Sequence, residues 1–487
     1  MKRYSFVIML IVVLCVMLSA CGENNNQPTE SKQGSENVPA VSEQVDDKSA
    51  SEIQDNESNA NDEKSNEEVS ELEVVKFDTS ATIEETSLFE QNEIKIIAKE
   101  LVCTDWNVTL NLYIENNSDK LATIYSGCGG YSATAINKYH VSDGYLVCEL
   151  PSGTKKMEDV TFSISELQAF GINGIAEIDY GFRVDTSDNE DKYKDQEKIF
   201  MGTKSIKTSL YEKYKDSNPS IENVKNNSDI TVKKTFDDSN EISEKYTVSQ
   251  MIYAEHNGEN TLLIELENKS DKMVIFQIDD ISINGVIIYG GSYTSQNTLS
   301  MGKCCLYIDL SSLIDTPMKN IIDENNIESI GFNINVYAED HNSTLTSPKE
   351  IEVKISDKET NVNYFENAIY DNKNIKIVSK GVAKDNYENS KDLHLVLIIQ
   401  NNNAEPIDLR IKDNSFTVNG FVTDTPYFYG KVNAKKAKFL DIEIRESELE
   451  KIKVKNIEDL KSIEMVMEIK DNNRKEIDNA NIKINYE

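Results

Sequence analysis

Val108-Thr109-Leu110-Asn111-Leu112-Tyr113-Ile114 alternates apolar with mostly polar residues, and the pattern returns at Leu393, Leu395, Leu397 and Ile399 and, shorter, from Leu262 to Leu266. Alternation with period two puts successive side chains on opposite faces of an extended strand, so each run is a strand with one buried face. The segments downstream of these strands recur too. Each strand ends in an Asn-rich turn: Asn116-Asn117-Ser118-Asp119, Asn268-Lys269-Ser270-Asp271 and Asn401-Asn402-Asn403. A second strand then closes on Ile136-Asn137, Ile283-Asn284-Gly285 or Val418-Asn419-Gly420. A lysine-bearing stretch comes next (Lys155-Lys156, Gly302-Lys303, Lys435-Lys436), then a strand, a short turn and a late alternating strand at Ile175–Val184, Ile330–Val336 or Ile463–Ile469. Three diverged copies of one module account for this order.

Each copy carries about seven short strands separated by Asn, Gly, Asp and Ser turns, the requirement of an antiparallel two-sheet sandwich. No sustained 3.6-residue periodicity appears, which excludes a helical solenoid. The expected fold is therefore all-β, with three tandem antiparallel β-sandwich modules at 75–215, 230–358 and 359–487. A polar stretch with Pro219, at 208–229, and a break at 357–363 read as linkers, so each module is expected to close its own core. In the third module that core should include Leu393, Leu395, Leu397 and Ile399.

The 487 residues carry a net charge of −34 and a pI near 4.6. A nucleic-acid partner is excluded by this charge and by the absence of a Lys/Arg cluster. Residues 21–74 form an acidic linker with isolated apolar residues that never become periodic. They cannot bury enough surface to offset their ordering entropy, so the linker is expected to be disordered, with an r.m.s. span of roughly 40 Å. It reads either as a tether or as a tail without a selected length.

At the start of the chain, Lys2 and Arg3 precede an apolar run from Phe6 to Leu18, and Leu18-Ser19-Ala20-Cys21 ends it. The run is short for a membrane span and has the layout of a signal peptide, 1–20. The Leu-Ser-Ala-Cys sequence resembles the lipobox of bacterial lipoproteins. That resemblance implies cleavage before Cys21, acylation of Cys21 and anchoring on the extracellular side of the cytoplasmic membrane, two acyl chains being needed for stable attachment. The modules resemble the tandem Ig-like units of surface lipoproteins from clostridia and related low-GC Gram-positive bacteria, a source that the lysine-over-arginine bias also suggests. The Cys and Trp hallmarks of antibody domains are missing, and Trp106 is the single tryptophan.

Chemistry-bearing residues are thinly spread. Beyond Cys15 and Cys21 the cysteines are Cys103, Cys128, Cys148, Cys304 and Cys305, an odd number with no CxxC pair. Cys128 is open to a bridge with Cys148 or Cys103 or to staying free. Cys304 and Cys305 should point to opposite strand faces as separate thiols. His140, His256, His341 and His394 show no metal-ligand spacing, so no metal and no cofactor is expected. Ser152-Gly153-Thr154-Lys155 and Ser187-Asp188-Asn189 match two motifs of penicillin-recognising enzymes, but Pro151-Ser152-Gly153 makes a turn where a helix is needed. The acidic run Asp185–Asp191 reads as a calcium loop or a solvated loop, with Asp237-Asp238 and Asp279-Asp280 weaker versions. Tyr289, Tyr293, Tyr427 and Tyr429 read as a surface gripping a peptide or glycan, or as half-buried strand residues.

The expected function is a non-catalytic, lipid-anchored surface protein whose modules act as spacer or binding units toward a cell-wall, glycan or protein ligand. Two alternatives stand beside it: a solute-binding lipoprotein of a transporter, which needs two α/β lobes, and an envelope hydrolase, which needs two carboxylates facing each other across a cleft.

Overall fold

The computed structural model describes residues 76–127, 133–188, 195–227, 230–236, 239–256, 258–314, 318–320, 322, 326–357, 363–384 and 390–486. The signal peptide, Cys21 and the acidic linker lie outside the described residues, as do Cys128 and Asp237-Asp238. No described helix is long and apolar enough to cross a membrane.

The first repeat contains β1 (Thr86–Gln91), β2 (Ile94–Cys103), β3 (Asn107–Asn116), β4 (Leu121–Ser126), β5 (Ala135–Ile136), β6 (Tyr139–His140), β7 (Leu146–Leu150), β8 (Thr154–Ser163), β9 (Glu177–Ser187) and β10 (Gln196–Lys207). The second contains β11 (Ile230–Phe236), β12 (Asn240–Ser243), β13 (Tyr246–His256), β14 (Glu259–Asn268), β15 (Val274–Ile283), β16 (Val286–Thr298), β17 (Gly302–Asp309), β18 (Ser329–Ala338) and β19 (Lys349–Lys354). The third contains β20 (Ala368–Asp371), β21 (Ile375–Lys384), β22 (Leu393–Asn401), β23 (Ile407–Ile411), β24 (Thr417–Val418), β25 (Phe421–Val422), β26 (Tyr429–Val432), β27 (Ala437–Ile444), β28 (Ser462–Asp471) and β29 (Glu476–Asn485). Short helices α1 (Ile164–Ala169), α2 (Tyr211–Tyr214), α3 (Leu310–Leu313) and α4 (Glu446–Lys451) break the strands. The chain is all-β, as its period-two runs require.

Among the described residues the strands form four sheets. The first is β1-β2-β3-β8. The second runs β11-β13-β14-β17-β6-β5-β9-β4-β7, with β10 beside β9 and β12 beside β13. The third is β19-β18-β15-β16-β27-β22-β21-β20, and the fourth β25-β24-β28-β23-β26, with β29 beside β28. The second and third sheets each span two repeats. They are joined by parallel contacts, Tyr139 opposite Lys303 in one and Val286-Ile287 opposite Ala437-Lys438 in the other, while the remaining pairings are antiparallel.

Leu393, Leu395, Leu397 and Ile399 face the third repeat's apolar cluster, as their spacing predicts. The other face of the same strand departs from expectation. Val396 and Ile398, with Val378, Ala437 and Phe439, belong to the cluster of the second repeat. Among the described residues, the third repeat's own cluster is built from its own residues alone, while the outer face of its first sheet is at the same time the floor of its neighbour's core. At 208–229, the stretch that reads as a linker, the chain is folded from Thr208 to Asn227. Ile221 and Val224, three apart, share one face of a 3-10 turn and pack on Ile252 and Ala254 of β13.

Two asparagines per repeat explain why the turns recur. Asn116, Asn268 and Asn401 are fully buried at their strand ends. The Nδ2 of each donates to the carbonyl four residues on, at Lys120 (2.8 Å), Lys272 (2.8 Å) and Glu405 (2.9 Å). Each also donates across the sandwich, to Leu150, to Thr298 and Leu299, or to Val432 and Asn433. Each Oδ1 accepts from the backbone N–H two residues on, at Ser118, Ser270 or Asn403. These side chains pair buried backbone groups that a turn leaves without partners.

The second set, Asn137, Asn284 and Asn419, has φ of 51°, 49° and 52°. The following residues, Lys138, Gly285 and Gly420, are also left-handed, at 66°, 78° and 81°, the two-residue hairpin geometry that suits Asn-Gly. Each Oδ1 accepts from two consecutive N–H groups that open the late strand: Ala176 and Glu177, Glu328 and Ser329, or Lys461 and Ser462. One residue thus makes the turn and pins the strand beside it.

Candidate functional site

A cavity of about 200 Å³ lies where the first and second repeats meet, with Lys138, Glu177, Asn218, Glu267 and Lys303 among its walls. The left-handed turn at Lys138 aims its Nζ at Glu177 and Asp179, each 2.8 Å away. From β17, Lys303 reaches Asn218 Oδ1 at 2.9 Å and lies 3.9 Å from Glu265. Glu265 is only 2% exposed, and its carboxylate accepts from Ser249 Oγ (2.7 Å), Ile221 N (2.8 Å), Tyr139 Oη (3.3 Å) and Ser220 Oγ (3.3 Å). Burial, with Cys305 and Glu265 beside it, holds the Tyr139 hydroxyl well above its usual pKa, so it stays a donor. A buried charge is tolerated when hydrogen bonds replace water, as here. At this size, below the roughly 300 Å³ at which small-molecule pockets begin, the arrangement works as a seam between repeats.

The second seam has its own polar core. Asp280 accepts from Gly291 N (3.1 Å), from Asn333 Nδ2 (3.3 Å) and, across the seam, from Asn433 Nδ2 (3.0 Å). Its neighbour Asp279 accepts from Asn335 Nδ2 at 2.6 Å. Both carboxylates of this sequence pair are thus engaged in joining strands, and Lys436 pairs with Glu350 nearby.

The other singled-out residues are dispersed. Cys103, Cys148, Cys304 and Cys305 are free thiols. Cys304 points into the second cluster and Cys305 against the first, as alternation requires; burial pushes the Cys148 and Cys304 thiols up to about 12. His140 lies on β6, His256 on β13, His341 in the turn after β18, and His394 on β22, where its Nδ1 is 2.9 Å from Asp441. Among the described residues no three His, Cys, Asp or Glu side chains gather as ligands for a metal. Asp185 of the acidic run is turned to Arg183 Nε at 2.6 Å, and 189–191 lie outside the described residues. Ser152 donates to the Ser118 carbonyl and Lys155 pairs with Glu115, so the two ends of the S-x-x-K match serve different contacts. Ser187 is buried at the end of β9, and Asn189 of that match is also outside the described residues. The tyrosines divide. Tyr289 and Tyr293 stack edge to face at 5.4 Å, with the Tyr293 Oη accepting from Asp309 N. Tyr427 and Tyr429 are exposed, as are Phe421 and Val422.

Asp143 and Glu166 form a carboxyl pair that sequence reasoning missed, because one lies in a loop and the other on α1. Asp143 accepts from Ser163 N at 2.6 Å and Glu166 from Ser142 Oγ at 2.7 Å, and the two carboxyls share a hydrogen bond. Through these contacts the pair fastens the loop before β7 to the first turn of α1. Burial, with Asp143 next to it, raises the Glu166 pKa. The folded protein then holds a proton that the unfolded chain releases above its ordinary value, so stability declines as pH rises through that window. Glu166→Gln is expected to raise the melting temperature by roughly 2–4 °C at pH 8 and by little at pH 5. Calorimetry at the two pH values checks this; an equal shift at both would sink it.

No protein-family model and no curated protein matches the chain. Among solved structures, one concerning host cell surface retention of a 1.5-MDa bacterial ice-binding adhesin is 10% identical, covering 78% of this chain and 90% of that one, with a TM-score of 0.13. Two others are Escherichia coli alpha-2-macroglobulin, activated by porcine elastase or by trypsin, at 8% and 9% identity, covering 81% and 78% of this chain, with TM-scores of 0.14 and 0.15. The chain spans 33% and 22% of those two chains.

Proposed function

We propose that this chain is a non-catalytic, lipid-anchored surface protein whose repeats form a stiff spacer held outside the cytoplasmic membrane by Cys21. The observation that supports a spacer is the continuity of the seams: two sheets run from one repeat into the next, and Val396, Ile398, Ala437 and Phe439 are buried in the neighbour's core. Domain pairs with small polar contacts move freely, whereas a shared apolar core resists bending. The lipobox supports the anchor, and the acidic composition suits an exposed, soluble body.

The reading has two tests. Cys21→Ala is expected to abolish acylation and either release the chain or leave it unprocessed. Mass spectrometry of the mature N-terminus decides; an unmodified N-terminus at another residue would count against the anchor. Small-angle X-ray scattering from residues 73–487 is expected to fit one rigid body, and a curve requiring freely hinged repeats would count against the spacer.

A further inference from the structure

The two seams have the same register. In each, the edge strand after the left-handed asparagine is received by the lysine-led strand of the next repeat. Tyr139, two residues after Asn137, lies opposite Lys303; Val286, two after Asn284, lies opposite Ala437. The receiving residues are equivalent, because Lys303 is one past Gly302, the partner of buried Asn268, and Ala437 is one past Lys436, whose carbonyl accepts from Asn401 N. The inserted side chains Tyr139 and Val286 are each 1% exposed.

One copy of each half is left over. In the third repeat the inserting strand is β25, with Phe421 two residues after Asn419. It pairs with β24 alone among the described strands, and Phe421 and Val422 are 58% and 63% exposed. In the first repeat the receiving strand is β8, where Thr154 opposite Asn116 makes Lys155 the equivalent of Lys303 and Ala437. Among the described strands β8 pairs with β3 alone.

The surroundings of β8 fit the receiving role. The cross-strand pair three residues before each buried asparagine is Glu265 with Cys305 in the second repeat and Ile398 with Phe439 in the third, both at seams. In the first repeat it is Tyr113 with Met157, and Met157 is 54% exposed. Lysines commonly protect free sheet edges. Here Lys303 and Lys438 occupy received positions at the existing seams, so Lys155 and Lys156 match the receiving pattern.

We propose that the third repeat of one molecule docks on the first repeat of a second copy, β25 pairing in parallel with β8, Phe421 opposite Lys155 and Val422 opposite Lys156. Such a contact is head-to-tail, uses different surfaces on the two molecules, and propagates. The like net charges of the copies oppose it at low ionic strength, so added salt should strengthen it.

The test uses the chain from Gly22 onward. Sedimentation velocity is expected to show an average mass that rises with protein concentration and with salt. Phe421→Lys with Val422→Lys, both at exposed positions, should weaken association at least tenfold with an unchanged melting temperature. Val422→Cys and Lys156→Cys are prepared as separate proteins and treated with a short bismaleimide against the wild-type background. A cross-linked dimer is expected only when the two are mixed. A monomer at all concentrations and salts, a dimer from Val422→Cys alone, or association unaffected by the double lysine variant would overturn the proposal.

Discussion

Leu395→Asp is expected to unfold the third repeat. Leu395 is fully buried within β22, among side chains that include Leu393, Leu397, Ile407 and Ile442. An aspartate there either carries its charge into an apolar cluster or takes up a proton to avoid it. The cost should exceed about 4 kcal/mol, a size reached only by burying an unpaired charge or by comparable damage. Because Val396 and Ile398 on the other face belong to the second repeat's core, the loss should spread, and urea denaturation should show the second repeat melting earlier as well. A midpoint within error of the native chain would contradict both the core assignment and the coupling.

Asn268→Leu comes next in size. Leucine is similar in volume but strands the carbonyls of Lys272, Thr298 and Leu299 and the amide of Ser270, all served by one side chain at 2.8–3.2 Å. Each buried group left without a partner costs about 1–3 kcal/mol, so a total loss of about 3–5 kcal/mol is expected after some relaxation. Asn268→Asp should be nearly as harmful, since it keeps the acceptor and removes the donor. Chemical denaturation of both variants checks this, and a loss below about 1 kcal/mol for Asn268→Leu would show that water replaces the amide.

The strands were legible because alternation with period two is a direct imprint of a half-buried sheet, and Leu393, Leu395, Leu397 and Ile399 face the cluster that their spacing predicts. The turns were legible as repeated words but not as devices: nothing in Asn-Asn-Ser-Asp says that the first asparagine is buried and the second is not. The seams were hidden for a different reason. Val396 and Ile398 fill the positions that alternation assigns to the outer face, and their apolar character signals a covered face without naming the cover. Glu265, at an outward position between Ile264 and Leu266, reads as solvent-facing, and only the arrival of Ile221, Tyr139 and Ser220 from distant parts of the chain makes it a buried acceptor. The Asp143–Glu166 pair depends on a loop meeting a helix and left no local pattern.

The left-handed asparagines bear on how long the chain stays chemically intact. Asn-Gly steps age fastest in flexible polypeptides, because the glycine amide nitrogen reaches back to the side-chain carbonyl and closes a succinimide ring. At Asn284-Gly285 that carbonyl is turned to the Glu328 and Ser329 amides, and at Asn419-Gly420 to those of Lys461 and Ser462. Ring closure would first have to break both bonds and swing the amide away from the strand it pins. The contacts that set these turns therefore also shield their asparagines from deamidation for as long as the strand stays paired.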